Sequence, residues 1–263
     1  MVAHAMHRHH GPALRAHAAF TPFFLLVVAF GIFGIASLFP FSPAPVAPPS
    51  YIAAALAATF MRLMAAYIAA VICAVPLAIL ATRGALMEKI FLPVFDILQS
   101  VPTLAFFPLV IAIFLQYGFV NGAAVFILFL NMLWNIVFSL IAGIGAVPHE
   151  IFSAARVFNM RGAFFFKRVL LPAILPAFVT GSLFAWAEGW NVVIIAEVLH
   201  TYIPGGTSAN DLFGIGSVLA NAPASGSGAT FIAAILGLVG LIAVLNFVVW
   251  QRLLHYAETY RFE

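Results

Sequence analysis

The chain has 263 residues, of which 65% are hydrophobic and 7% are charged, and its mean hydropathy is +1.14. A soluble protein cannot leave that much apolar surface in water, so this composition excludes the soluble classes and predicts a membrane-embedded protein. The formal net charge of +3 is too small to argue for or against nucleic acid, and we expect no such partner. The single Cys73 excludes an intrachain disulfide.

Six apolar stretches are long enough to cross a bilayer, since about 20 helical residues span a hydrocarbon core of roughly 30 Å. We therefore expect an all-α polytopic fold, with a transmembrane domain over residues 20–254. The first span has a longer apolar run than a signal peptide, so we interpret it as an uncleaved anchor. The predicted spans are 20–39, 53–81, 91–117, 122–146, 173–199 and 229–250.

Basic residues predict the orientation of these spans. With the N-terminus inside, ten of the eleven Lys and Arg residues lie in cytoplasmic segments, and the outer connections hold none. This arrangement predicts two cytoplasmic tails, 1–19 and 255–263, a cytoplasmic loop over 147–172 and an outer loop over 201–228. The first tail holds five of the eight His, for which we weigh a weak metal site against a solvated tail without fixed coordination geometry, and favour the tail.

The cytoplasmic loop is too long for a simple helix hairpin. Pro148 suits the first position of a helix, and residues 149–158 are predicted to form a short helix. Asn159 tolerates the left-handed conformation, so it predicts a sharp turn before a second helix that contains Phe164, Phe165 and Phe166. The first interpretation is an amphipathic helix on lipid headgroups; the second is a docking surface for another protein.

The order of residues in this loop resembles the motif of binding-protein-dependent ABC transporter permeases: E-A-A, three residues, G, a spacer and L-P. Ser153, Ala154 and Ala155 fall on E-A-A, Asn159 on the glycine and Leu171-Pro172 on L-P. Ser153 and Asn159 depart from the motif, and without the Glu an ion pair of that residue with the ATPase is not expected. LQSVPTLAFFPLVIAIF (98–114), AEGWNVVIIAEVL (187–199) and GIGSVLANA (214–222) are similar to the nitrate/sulfonate/bicarbonate branch, and the likeness covers roughly residues 50–255.

The resemblance implies a type I ABC importer permease-like fold, paired as a dimer of permeases, whose loop is a coupling helix that docks into a cytoplasmic ATPase. It implies as partners the ATPase subunits, a second permease copy, an external solute-binding protein and membrane lipid, in a bacterial-type inner membrane. No G-x-x-x-x-G-K-[ST] motif is present, so we expect no cofactor on this chain, with ATP and Mg handled by the ATPase. The implied coupling residues are Ser153, Ala154, Ala155, Arg156, Phe158, Asn159, Arg161 and Gly162.

Charged side chains inside a membrane are costly, so they usually pair or line water. Arg62 and Glu188 lie at comparable depth by residue count, which predicts that they are close or bridged by water, with Glu197 as the alternative partner. An unpaired acidic residue would instead suit a self-contained transporter driven by an ion gradient, with Glu188 or Glu197 as its coupling site. This transporter is the alternative to an ABC importer permease.

Uncharged polar residues form a second set of candidates for the pathway. Asn131, Asn135 and Ser139 recur every four residues in the fourth span, which predicts either interhelical hydrogen bonds or a pathway lining. Trp190 and Asn191 give the fifth span a similar character. No Ser/His/Asp grouping and no Cys/His metal spacing is apparent, so we expect neither a catalytic site nor a metal site.

Two further features concern the backbone of the predicted domain. Pro102 and Pro108 predict either a break or a simple kink in the third span. GIGSVLANA predicts a short helix that re-enters from the outside and helps to receive the binding protein; a flexible linker is the alternative. The sequence as a whole predicts an importer permease subunit that forms the pathway for a small solute, with an anion expected from the branch it resembles.

Overall fold

The computed structural model describes residues 46–260, and every regular element within them is helical. The predicted tail 1–19, the first predicted span and positions 261–263 lie outside the described residues. The α-helices are α1 (Pro49–Ala81), α2 (Ala85–Ser100), α3 (Phe107–Gln116), α4 (Val120–Gly145), α5 (His149–Val157), α6 (Gly162–Phe165), α7 (Leu171–Glu197), α8 (Ile215–Ala224), α9 (Gly228–Leu245) and α10 (Gln251–Glu258). Short π-helical turns at Phe166–Leu170 and Asn246–Trp250 join α6 to α7 and α9 to α10.

Four continuous helical segments are long and apolar enough to cross a membrane: Pro49–Ala81, Val120–Gly145, Phe166–Glu197 and Gly228–Glu258. The pair Ala85–Ser100 and Thr103–Gln116 also passes this test together, but it is bent by 71°, which fits either a broken fifth span or a re-entrant loop. These elements confirm the all-α polytopic fold class and match five of the six predicted spans. The last segment continues to Glu258, beyond the predicted end at 250, because no Pro or Gly interrupts the helix after Gly240.

The bend in the third span lies at Pro102. This residue precedes a 3₁₀ turn at Thr103–Phe106, and α2 ends at Ser100. Pro108 lies in the first turn of α3, where its missing N–H removes no helical hydrogen bond. Of the two predicted alternatives for the third span, the structure therefore supports a break, which lies at Pro102 and not at Pro108.

Helix α4 is the centre of the bundle and packs along α7 on one side and α1 on the other. Small residues allow these close contacts, as is usual between membrane helices. A Cβ atom added to Gly181 of α7 would lie 2.6 Å from Cβ of Ser139, and one added to Gly189 would lie 2.7 Å from a methyl carbon of Leu63. On α1, the fully buried residues include a stripe of alanines: Ala66, Ala70, Ala74, Ala78 and Ala81.

A separate, smaller apolar core lies beside the predicted outer loop, and we call it the outer apolar core. Ile52 and Ala55 from the outer turns of α1 pack with Ile215 and Leu219 of α8 and with Ala234 of α9. Helix α1 starts at Pro49, four residues before the predicted start, because proline is tolerated in a first helical turn. These additional turns provide the surface against which α8 lies.

Candidate functional sites at the two membrane faces

Arg62 of α1 is the centre of a polar cluster at the ends of the helices that are predicted to lie outside; we call it the outer cluster. Its Nη1 donates a 2.7 Å hydrogen bond to Oε1 of Glu197, the last residue of α7. Its Nε donates to Oδ1 of Asn121 at 2.8 Å, and its Nη2 donates to the carbonyl oxygen of Phe213 at 2.8 Å. The side chain is 11% exposed. One guanidinium therefore links α1, α4, α7 and the segment before α8.

The carboxylate of Glu197 is fully buried and receives three donors. Besides Arg62, the hydroxyl of Thr59 donates to Oε1 at 2.7 Å and the backbone N–H of Gly216 donates to Oε2 at 2.7 Å. The hydroxyl oxygen of Thr59 in turn accepts the N–H of Ile215 at 2.9 Å. The first N–H groups of α8 are thus capped by side chains of α1 and α7, and the carboxylate also meets the positive end of the helix dipole.

The structure corrects the predicted partner of Arg62, which is Glu197 and not Glu188. Arg62 lies 13 residues into α1 but is level with Asn121 near the start of α4 and with the end of α7, so α1 extends beyond both helices on this side. Glu188 lies nine residues, or roughly 13 Å along the helix axis, deeper in α7. It is partly exposed, and its side chain has no hydrogen bond or ion pair within residues 46–260.

Two glycines at the start of α8 let the chain approach the carboxylate closely. A Cβ atom on Gly214 would overlap the carboxylate group of Glu197. A Cβ atom on Gly216 would lie 2.8 Å from Cα of Ile194 and 2.9 Å from Oε2 of Glu197. Any larger residue at either position must displace the charge cluster or the end of α7.

A second carboxylate fixes the rest of the outer loop. The side chain of Asp211 is 2% exposed, and its Oδ1 accepts the backbone N–H of His200 at 3.0 Å. Nδ1 of His200 lies 2.8 Å from Oδ1 and 2.9 Å from Oδ2, and Nδ2 of Asn221 donates to Oδ2 at 2.8 Å. Burial raises the pKa of Asp211, but the hydrogen bonds from Asn221 and His200 outweigh it and hold the pKa below its ordinary value. The outer loop is therefore tied at both ends of α8, in contrast to a flexible linker.

The polar stripe on α4 is satisfied mainly within its own helix. Nδ2 of Asn131 donates to the carbonyl of Ile127 at 2.8 Å, and Nδ2 of Asn135 donates to the carbonyl of Asn131 at 3.2 Å. The expected interhelical hydrogen bonds reduce to a long 3.5 Å contact from Thr103 to Oδ1 of Asn131. On α7, Trp190 packs against Trp186, with ring centroids 6.0 Å apart, and Asn191 is exposed.

The cytoplasmic loop has the predicted helix, sharp turn and second helix. Helix α5 ends at Val157, and Asn159 has a positive φ of 51°. The N–H of Met160 donates to the carbonyl of Ala155 at 2.9 Å, and that of Asn159 donates to the carbonyl of Arg156 at 2.9 Å. These two bonds form a Schellman motif with asparagine at the position that glycine usually occupies.

The tip of this loop exposes apolar side chains outside the predicted spans. Val157 is 83% exposed, Phe158 is 73% exposed and Phe164 is 57% exposed. Of the predicted coupling residues, all but one are exposed: Ser153, Ala154, Arg156, Phe158, Asn159, Arg161 and Gly162. Ala155 is the exception, because it is 5% exposed and packs against its own chain. The role of Ala155 in coupling stays a prediction.

The sequence reasoning missed several residues of the outer cluster. Thr59 was not predicted, although it precedes Arg62 by three positions and therefore shares its helix face. The sequence also carried no local signal for three further contacts: those of Asn121, of the carbonyl of Phe213 and of Asp211. The G-I-G spacing of residues 214–216 was the available signal for a close backbone approach.

Comparison with known proteins gives a consistent result. Residues 74–254 match the family described as binding-protein-dependent transport system inner membrane component. The chain is 33% identical to the nitrate import permease protein NrtB of Leptolyngbya laminosa over 197 aligned residues. The aligned segment is 73% of this chain and 66% of that protein. It is 28% identical over 148 residues to the bicarbonate transport system permease protein CmpB of Synechocystis sp., covering 56% and 52%. It is 27% identical over 144 residues to the taurine transport system permease protein TauC of Escherichia coli, covering 55% and 51%.

The matched segment thus spans 66% of the first relative and about half of the other two. The family match covers more than half of the chain and includes the bent pair, two whole continuous spans, most of the last span and the whole predicted cytoplasmic loop. The helical architecture and the positive-φ turn after α5 agree with it. The chain belongs to the family of binding-protein-dependent transport system inner membrane components.

Proposed function

We propose that the chain is the permease subunit of an ATP-driven importer and forms the transmembrane pathway for a small anion. The observation that carries this proposal is the coupling tip, defined here as Val157, Phe158 and Phe164. Three large apolar side chains exposed beyond the spans need a covering partner. A cleft on a cytoplasmic ATPase is such a partner, and family membership supports this assignment.

The geometry of α5 favours protein docking over adsorption to lipid headgroups. A headgroup-bound helix carries its apolar residues as a stripe along its length. In α5 the more apolar side, with Ile151, Phe152 and Ala155, faces its own chain, and the ring of Phe152 lies 6.2 Å from that of Phe165. The exposed apolar residues are instead concentrated at the end of the helix and just beyond it.

The class of solute is inferred from the relatives, which transport nitrate, bicarbonate and taurine according to their names. In the outer cluster, the positive charge of Arg62 is neutralised by Glu197, so it is not available to hold a free anion. This neutrality supports selection by an external binding protein. We expect that protein, two ATPase subunits and a second permease copy to complete the assembly in the inner membrane, with the termini in the cytoplasm.

The gradient-driven alternative has no supporting observation. Glu197 is fully buried and already bound by three donors, so it has no free position for a coupling ion. Glu188 belongs to no group of three or more His, Cys, Asp or Glu side chains within the described residues.

Reconstitution into vesicles tests the proposal. The permease, its ATPase and the binding protein are assembled, and uptake of nitrate, bicarbonate and taurine is measured with and without ATP. We expect uptake that requires ATP and persists when ionophores collapse all ion gradients. An ATPase with its nucleotide-binding lysine replaced is the control. Uptake by the permease alone, abolished by ionophores, would establish the gradient-driven transporter instead.

A further inference from the structure

Helix α8 begins in an unusual way, because its capping groups come from other helices. The first N–H groups of any α-helix lack partners within the helix. Here Thr59 accepts the N–H of Ile215 and Glu197 accepts that of Gly216, from α1 and α7 respectively. Gly214, which precedes the helix, has no side chain with which to cap it. The start of α8 therefore depends on two side chains that are distant in sequence.

The carboxylate of Glu197 can cap this helix only if its own charge is balanced, since an unpaired buried charge is strongly unfavourable. Arg62 provides that balance at 2.7 Å. The same guanidinium holds the carbonyl of Phe213 at 2.8 Å, one residue before Gly214. The ion pair thus fixes both the start of α8 and the segment that leads into it.

We propose that Glu197, balanced by Arg62, is the positioning residue that holds α8 at the outer mouth of the transport pathway. The existence of a pathway mouth and the uptake measurement described below rest on the proposed function, whereas the contacts that hold α8 in place do not. The competing explanation is that the outer apolar core alone holds α8, through Ile215, Val218 and Leu219. The two explanations differ in what happens when the carboxylate is removed and the apolar contacts are kept.

Cysteine labelling in the assembled transporter separates them. In a Cys73→Ser background, Ala222→Cys reports on the packed side of α8, because Ala222 is 6% exposed. A membrane-impermeant maleimide is added from outside. We expect Glu197→Ala to raise the labelling rate about tenfold, as loss of a helix cap and its charge shifts α8 toward an open position. Glu197→Gln keeps the shape and an acceptor, so we expect about a threefold increase.

Three controls define the interpretation. Glu188→Ala, in the same helix, should leave the labelling rate unchanged. Ala124→Cys, fully buried near the outer end of α4, should stay protected in every variant unless the whole protein opens. Arg62→Glu combined with Glu197→Arg restores opposite charges but not the cap, since arginine cannot accept the N–H of Gly216. This double variant should therefore remain labelled rapidly.

The outcomes are distinct. Unchanged labelling in both Glu197 variants would overturn the proposal, as would full protection in the charge-reversed double variant or equal exposure of Ala124→Cys. We also expect Glu197→Ala to lower uptake while the ATPase still co-purifies. If no ATPase co-purified with the unsubstituted protein, the proposed function would be contradicted, but the labelling result would still test the position of α8.

Discussion

Nη1 of Arg62 lies 2.7 Å from Oε1 of Glu197, although the two residues are 135 positions apart in sequence. Removing one member of a buried ion pair typically costs about 3–5 kcal/mol, because the other charge is left without a partner. We expect Glu197→Ala to lower the free energy of unfolding by about this amount. Glu188→Ala should change it by about 1 kcal/mol or less, since no described residue is bonded to Glu188.

The pairing itself is tested by adding Arg62→Ala to Glu197→Ala and measuring thermal unfolding in detergent. The double variant should be destabilised by less than the sum of the two single variants, because the second change removes an already unpaired charge. Additive losses would contradict a direct interaction.

The close approach at the start of α8 predicts a strong effect of a single methyl group. Gly216→Ala places Cβ 2.8 Å from Cα of Ile194, and backbone cannot move aside as a side chain can. We expect a loss of about 1–3 kcal/mol from this overpacking. Gly240→Ala in α9 is the matched control: its Cβ would meet no atom within 4 Å, so it should be neutral or slightly stabilising. Equal melting temperatures for the two variants would contradict the described geometry.

The outer loop should become less stable in acid. The pKa of Asp211 is lowered from 3.8, because burial, which raises it, is outweighed by the hydrogen bonds from Asn221 and His200. A lowered carboxylate pKa adds stability above the unfolded-state value, and this contribution is lost as the pH falls through the folded-state value. The stability difference between the unsubstituted protein and Asp211→Asn should therefore be constant near neutral pH and shrink below about pH 4. Unfolding midpoints of the two proteins, measured from neutral pH to below about pH 4, test this prediction. A stability difference that grows as the pH falls would contradict it.

Asn159 was predicted from local chemistry alone, and its left-handed turn is confirmed. The partner of Arg62 was harder to predict. Counting residues along a helix gives the depth of a side chain only as accurately as the start of that helix is known. Helices α1 and α7 do not end level at the outer cluster: Arg62 lies 13 residues into α1 yet contacts Glu197, the last residue of α7, so a count from the helix ends favours the deeper Glu188. The cap on Gly216 involves a backbone group, which carries no signature in the sequence. The spans and the loop turn are thus local properties, whereas the outer cluster is set by tertiary packing.

The turn at Asn159 predicts a pair of opposite outcomes. Asn159→Gly should preserve uptake and ATPase binding, since glycine adopts positive φ without strain. Asn159→Val should reduce both, because a β-branched residue resists the observed φ of 51°. Uptake and the amount of co-purified ATPase are measured for each variant. Normal activity of Asn159→Val would show that the loop shape is not required.

The central claim is that ATP energy enters through the coupling tip, and co-purification of the ATPase with Phe158→Glu tests it most directly. Phe158 is 73% exposed, so a charge there should not disturb the fold but should oppose burial in an apolar cleft. Tyr117→Glu is the control, because Tyr117 is 79% exposed at the opposite end of the helices. The account predicts that Phe158→Glu is produced in normal amount and loses its ATPase, whereas Tyr117→Glu retains it. Normal ATPase recovery with Phe158→Glu would contradict the account.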